Sequence, residues 1–348
     1  MYRRGRKSGA FASISCPACW LLALVIISIL ILSIKASQHS SSSSSSNSRS
    51  SSSSSSNKTK TNSLRYNTVK MSSTVSAADS FLIPPPMIYG TAWKKDHTEE
   101  LVKEAIRSGF RWFDTACQPK HYNEKGLGDA IASSGVKRSD FFIQTKFTPT
   151  GGQDPKSIPY DNSLPLAQQV KQSLQRSLEN LQTPYVNSLL LHSPLETVQE
   201  TMEVYRQFEE FIGEKKVLYI GISNLYDLAL LKEIYSKAVV KPTFLQNRFY
   251  KKSGYDVEIR AFCREKGIHY QSFWTLSANP LILKSSTVTA ISSRLGKTPE
   301  QVFFAFTRSQ GMIFLTGTKD SKHMAEDLDV PNIVLLGEDV AAIEEELM

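Results

Sequence analysis

Cysteine is scarce in this chain of 348 residues: four occur, and Cys16 and Cys19 flank the start of an apolar run. The other two, Cys117 and Cys263, stand too far apart in sequence to suggest a disulfide framework or a thiolate metal cluster, so no metal is expected. Acid is missing from the leader, where Asp79 is the only carboxylate among the first 79 residues against ten Lys or Arg. From residue 80 onward the count is 31 basic (41 − 10) against 32 acidic (33 − 1), so the net charge of +8 belongs to the leader. A nucleic-acid partner thereby loses its electrostatic footprint. A glycine-rich phosphate turn is also absent: in Gly126-Leu127-Gly128 the third glycine position holds Ile131, and no strand precedes it. An open doubly wound nucleotide-binding sheet is the weaker fold for that reason.

The leader has three physically distinct parts. Arg3, Arg4, Arg6 and Lys7 precede an uncharged stretch over 16–34, close to the roughly 20 residues that cross a bilayer. Residues 1–35 therefore read as a single-pass membrane anchor, with a cleaved signal as the alternative. Positive-inside orientation would put the rest of the chain across the membrane. Sixteen of the 21 residues in 37–57 are serine, a composition that buries too little apolar surface to order, so 36–79 reads as a disordered tether. Met71 offers an alternative start, giving a cytoplasmic form of 278 residues (348 − 70).

From residue 80 to 348 short apolar runs alternate with amphipathic stretches. Strands are expected at 87–92, 111–115, 141–147, 188–192, 217–223, 243–247, 269–274 and 312–316, and helices at 98–107, 167–181, 197–211, 226–236 and 257–266. Glycines at Gly109, Gly135 and Gly267 suit helix ends. Eight strand-then-helix units in a chain of this length predict an α/β fold, a (β/α)8 TIM barrel.

Reactive groups of such a barrel stand at the C-terminal strand ends. The second expected strand ends in Asp114-Thr115-Ala116 and leads to His121-Tyr122-Asn123-Glu124; the third ends in Gln144-Thr145-Lys146-Phe147; the fourth in Leu191-His192-Ser193-Pro194. Carboxylate, phenol, amine and imidazole thus share one rim. Each alone has an ordinary structural explanation, such as a helix cap for Asp114 or a core hydrogen bond for His192.

Together with Gly221-Ile222-Ser223-Asn224, these segments resemble the motifs of the aldo-keto reductases, in the same order. The resemblance implies nicotinamide-dependent reduction of a small aldehyde or ketone to an alcohol, with Asp114, Tyr122, Lys146 and His192 as the catalytic set. One departure stands out: Cys117-Gln118-Pro119-Lys120-His121 lengthen the loop before Tyr122 beyond the family's usual span. A phenol, with an ordinary pKa of about 10, is a reluctant proton donor, and a neighbouring Lys146 ammonium is expected to lower that value. Asp114 would pair with the ammonium and His192 would orient the substrate oxygen. The pairing argues against Lys146 as a Schiff-base amine, which must be neutral.

The same resemblance implies that Ser223, Asn224 and Gln246 hold the nicotinamide carboxamide and that Phe273 lies against the ring. Gly317, Thr318, Lys319 and His323 would grip the adenosine phosphate, with Glu326 and Asp327 at the adenine. NADPH is the expected cofactor and NADH the alternative, because glycine and histidine occupy positions 317 and 323 where relatives often carry lysine and arginine. Trp93, Phe147 and Trp274 suggest an apolar or aromatic carbonyl substrate, and the barrel is expected to be monomeric. A non-catalytic NADPH-binding barrel, serving as a redox-sensing or membrane-complex subunit, is the alternative function.

Overall fold

The computed structural model describes residues 87–348. Eight parallel strands close on themselves in chain order: β1 (Met87–Gly90), β2 (Trp112–Asp114), β3 (Phe142–Phe147), β4 (Val186–Leu191), β5 (Val217–Ser223), β6 (Phe244–Arg248), β7 (His269–Phe273) and β8 (Ile313–Thr316). The β1–β8 pairing, with Ile88 opposite Leu315, completes the barrel. All eight strands fall where the apolar runs put them.

The outer ring comprises α1 (Thr98–Ser108), α2 (Glu124–Ala132), α3 (Leu166–Leu181), α4 (Val198–Gly213), α5 (Leu228–Lys237), α6 (Val257–Lys266), α7 (Ser286–Leu295), α8 (Pro299–Ser309), α9 (Ser321–Asp329) and α10 (Gly337–Leu347). Their ends follow local chemistry. Helix α5 starts two residues later than expected because the Asp227 side chain accepts from the amides of Ala229 and Leu230. Thr197 and Glu200 form a reciprocal capping box at α4, as Thr298 and Gln301 do at α8. Gly109 and Gly267 close α1 and α6 at φ 121° and 71°. Gly128 has a different use: a Cβ there would lie 2.2 Å from the Asn180 carbonyl oxygen, so the residue lets α2 press onto α3 and has nothing to do with phosphate.

Apolar burial divides into two shells. The larger lies between strands and helices, with Phe113, Ile143, Leu189, Ile220 and Phe314 among its members. A smaller cluster of Ile88, Trp112, Phe142, Leu190, Phe244 and Ile313 joins neighbouring strands, with Trp112 and Phe142 stacked at 3.7 Å. Gly221 on β5 allows close strand packing, since a Cβ would meet the Phe244 carbonyl oxygen at 2.2 Å.

The expected anchor over 1–35 and tether over 36–79 lie outside the described residues. Among the described residues, no helix is long and apolar enough to cross a membrane, so the membrane association inferred from the leader gains no support here.

Candidate active site

Period-two alternation on β3 places Gln144 and Lys146 on one face, with Thr148 continuing the series beyond the strand end. The Lys146 Nζ reaches both oxygens of Asp114, at 2.7 and 2.6 Å, and the Thr115 carbonyl oxygen at 2.9 Å. An ammonium has three hydrogens, and these contacts use all of them. Lysine and aspartate are both almost fully buried, at 1% and 3% side-chain exposure. Asp114 Oδ1 also accepts from Gln144 and Gln246, at 2.7 and 3.0 Å, and those two amides meet at Gln271. The ion pair is therefore fixed on every side.

Tyr122 stands above it. Its ring centroid is 5.4 Å from Lys146 Nζ and 6.0 Å from the His192 ring, which it meets edge-on. The lengthened loop is absorbed by a turn: the Gln118 carbonyl accepts from both His121 and Tyr122 amides at 3.0 Å, returning Tyr122 to the rim. Asn123 then caps α2 by accepting from the Gly126 amide.

The electrostatics correct one expectation. Burial, reinforced by the negative charge of Asp114, raises the Tyr122 phenol well above its ordinary pKa. The Lys146 charge, paired with Asp114 and with its own pKa depressed by burial, does not outweigh that rise. His192 is pushed down to about 3, first by burial and then by the Lys146 and His121 charges, so the imidazole is neutral. Its Nδ1 lies 2.6 Å from Thr148 Oγ1. With the hydroxyl as donor, the ring hydrogen is on Nε2.

A cavity of about 340 Å³ is lined by Asp114, Tyr122, His192, Ser223, Asn224, Gln246 and Phe273, so it gathers three of the four catalytic candidates and the expected nicotinamide positions. Lys146 lies beneath it, behind Asp114. Ser223 donates to the Gln246 carbonyl at 2.8 Å, and Asn224, held at φ 53°, donates to the His192 carbonyl at 2.9 Å. Trp93 and Trp274 form part of the wall, both in the left-handed region at φ 62° and 55°. Phe147 does not: the residue after inward-facing Lys146 faces outward and packs on Tyr160 at 5.6 Å.

A second cavity of about 460 Å³ shares Trp274, Leu315, Thr316 and Gly317 with the first and adds Thr318, Lys322, His323, Glu326 and Asp327. Two adjoining cavities, one amide-rich and one with cations, fit an elongated dinucleotide. Three details differ from the expected grip. The amides of Lys322 and His323 at the start of α9 are already accepted by the Asp320 carboxylate, at 2.8 and 3.1 Å, so that helix end is not open to phosphate. Lys319 does not line the cavity. The Asp327 carboxylate accepts from Thr316 Oγ1 at 2.6 Å, and burial raises its pKa to about 6.

Sequence reasoning missed several groups here, among them Thr148, Gln144, Gln271 and Lys94. Lys94 Nζ donates to the Gly317 carbonyl at 2.8 Å and lies 3.9 Å from where a Gly317 Cβ would be. The loop after β1 thus supplies a cation beside the residue where relatives often carry lysine. Burial and the charge of Lys319 lower its pKa to about 8.

A closed parallel barrel with a buried carboxylate–ammonium pair beside a phenol and an imidazole is the arrangement that the resemblance to carbonyl-reducing oxidoreductases implied. Residues 86–347 match the Aldo/keto reductase family, and the chain belongs to that family, whose members use nicotinamide cofactors. It is 28% identical over 245 residues to glyoxal reductase of Bacillus subtilis, covering 70% of this chain and 82% of that protein. Methylglyoxal reductase DkgB of Escherichia coli O157:H7 is 29% identical over 260 residues, covering 72% and 88%. The solved structure of an aldo/keto reductase from Brucella melitensis superposes with a TM-score of 0.64 at 27% identity, covering 76% of this chain and 95% of that one.

Proposed function

We propose that the chain reduces an aldehyde or ketone to its alcohol with NADPH, through Asp114, Tyr122, Lys146 and His192. The observation that carries this is the meeting of the Tyr122 and His192 rings 6.0 Å apart, with the Lys146 amine 5.4 Å from the phenol ring. Bound in the two cavities, the cofactor would supply hydride to the carbonyl carbon. Tyr122 holds a proton at neutral pH, because burial and Asp114 oppose its loss. An alkoxide developing beside it is far more basic than a phenolate, so transfer from Tyr122 Oη runs downhill. The Lys146 charge then stabilises the phenolate left behind, an interaction stronger in the transition state than before it. Neutral His192 orients the substrate oxygen through Nε2–H, with Thr148 fixing the ring.

Ser223, Asn224 and Gln246 would hold the carboxamide and Phe273 would face the nicotinamide. Lys94, Lys322 and His323 favour the phosphates, with Lys319 nearby, whereas Asp320 opposes a 2′-phosphate and leaves room for NADH. Glyoxal and methylglyoxal, named for the two reductase relatives, make short dicarbonyls the first substrates to try alongside aromatic aldehydes.

The test is loss of nicotinamide absorbance by the full chain with that panel. Tyr122→Phe should lose turnover and keep NADPH affinity, since only a hydroxyl is removed. Retained turnover would move the proton donor elsewhere, with His121, which also lines the cavity, the candidate.

A further inference from the structure

Gln246 and Arg248 are two residues apart on β6 and both line the 340 Å³ cavity, Arg248 one step nearer its mouth. The guanidinium carbon lies 4.1 Å from the centroid of the Trp274 ring, 5.1 Å from that of Tyr250 and 5.9 Å from that of Phe273. Its Nε is buried without a hydrogen-bond partner among the described residues. None of the ion pairs among the described residues includes Arg248, and the one carboxylate lining the cavity, Asp114, has both oxygens on Lys146. The cavity's two histidines, His121 and His192, are both shifted toward the neutral form. Arg248 therefore carries a positive charge that nothing in the cavity wall balances.

We propose that Arg248 is a specificity residue that anchors the carboxylate of an anionic carbonyl substrate, an oxo acid or a carboxylate-bearing aldehyde. A guanidinium is planar and presents its edge hydrogens as a fork that a carboxylate accepts bidentately, and the Trp274 ring 4.1 Å away supports it. The neighbouring rings of Trp274, Tyr250 and Phe273 limit its hydration on one side and so strengthen that contact. The phosphates of a dinucleotide are a rival source of anion. They have Lys322 in the second cavity and Lys94 beside Gly317, whereas Arg248 lines the first cavity alone.

This assignment rests on the reductase reading, and the experiment separates the two. The full chain is assayed with 4-formylbenzoate and its neutral counterpart 4-formylbenzamide, as wild type, Arg248→Met and Arg248→Lys. Wild type should prefer the acid by about 10- to 100-fold in kcat/KM, mostly through KM, as charge-assisted hydrogen bonds of this kind contribute. Arg248→Met should collapse the ratio to near one with NADPH affinity unchanged, and Arg248→Lys should restore part of it. A wild-type ratio near one, or a ratio surviving in Arg248→Met, overturns the proposal. Weakened NADPH binding at an unchanged ratio also overturns it, assigning the arginine to the cofactor. Should wild type reduce neither aldehyde, the reductase reading fails by itself. Calorimetry of 4-formylbenzoate with the NADPH complex then decides Arg248: binding to wild type and not to Arg248→Met upholds the anchor, and any other pattern sinks it.

Discussion

The two ends of the cleft are built on opposite plans. At the β2–β4 end Lys146 and Asp114 are buried, mutually neutralising and saturated with hydrogen bonds. At the β8–α9 end Lys319, Lys322 and His323 are exposed and interleaved with Asp320 and Glu326, the Lys322–Glu326 pair standing 3.6 Å apart with the lysine 81% exposed. A buried pair is intolerant because removing one member strands the other, whereas exposed pairs contribute little. On the proposed function, chemistry is fixed at one end and cofactor preference is adjustable at the other.

The largest contrast comes from two charge-removing changes. Lys146→Met should lower turnover by about a thousandfold or more and destabilise the fold by about 3–5 kcal/mol, because the Asp114 carboxylate is left buried and unpaired. Lys322→Met should leave the urea midpoint unchanged and weaken NADPH by less than about tenfold. Steady-state rates and urea unfolding measure both, and full turnover in Lys146→Met would discard the four-residue constellation.

Next in size is Thr148→Val, which removes the 2.6 Å contact holding His192. Turnover should fall about five- to tenfold, the effect of one hydrogen bond. The pH profile sharpens this. With the imidazole pushed down to about 3 in the fold, His192 stays neutral from pH 5 to 8, so the kcat profile should show no limb near its ordinary 6.5. Its effect on stability has one sign: the unfolded imidazole takes up a proton that the folded one refuses, so stability falls as pH drops from 6.5 toward 3.

Smaller still is Asp320→Ser. Serine also caps helices, so α9 should keep its start while the anion opposing a 2′-phosphate disappears. The ratio of NADPH to NADH affinity should rise about three- to tenfold. An unchanged ratio would mean that the 2′-phosphate does not approach α9.

The last change is Asp327→Asn, which keeps an acceptor for Thr316. The folded carboxyl pKa is raised from 3.8 to about 6, so the fold loses stability as pH rises through that window. Asparagine should flatten that slope and raise the melting temperature at pH 8, by about 1–2 kcal/mol of stability.

Eight strands and the four rim residues were legible because alternation and strand-end position are local signals. Phe147 was misread by one position of parity: with Lys146 facing inward, its neighbour must face the helices. Thr148 was legible in principle from the Gln144–Lys146–Thr148 series, and Arg248 from its spacing to Gln246. Lys94 was not, since its contact with Gly317 spans 223 residues and leaves no local pattern. Helices α2, α7 and α8 lie outside every expected helical range, although the Thr298-Pro299-Glu300-Gln301 start of α8 is a capping signal. The anionic cap at Asp320 was hidden because a cap and a phosphate-binding loop draw on the same short polar segment.

The glutamine contacts beneath Asp114 carry a consequence for how the molecule assembles. Gln144 and Gln271 bond reciprocally across 127 residues, and Gln246 joins them from β6. A chain that has formed only β1 to β5 has the Asp114–Lys146 pair and Gln144 yet lacks Gln246 and Gln271, so that side of the pair stays open to water until β6 and β7 arrive. Closure of the barrel and drying of the Asp114–Lys146 pair are then one event. Hydrogen exchange at β3 and β7 should accordingly open together, and a nascent chain should gain its reductase chemistry only at the last strands, with no half-built form on the way.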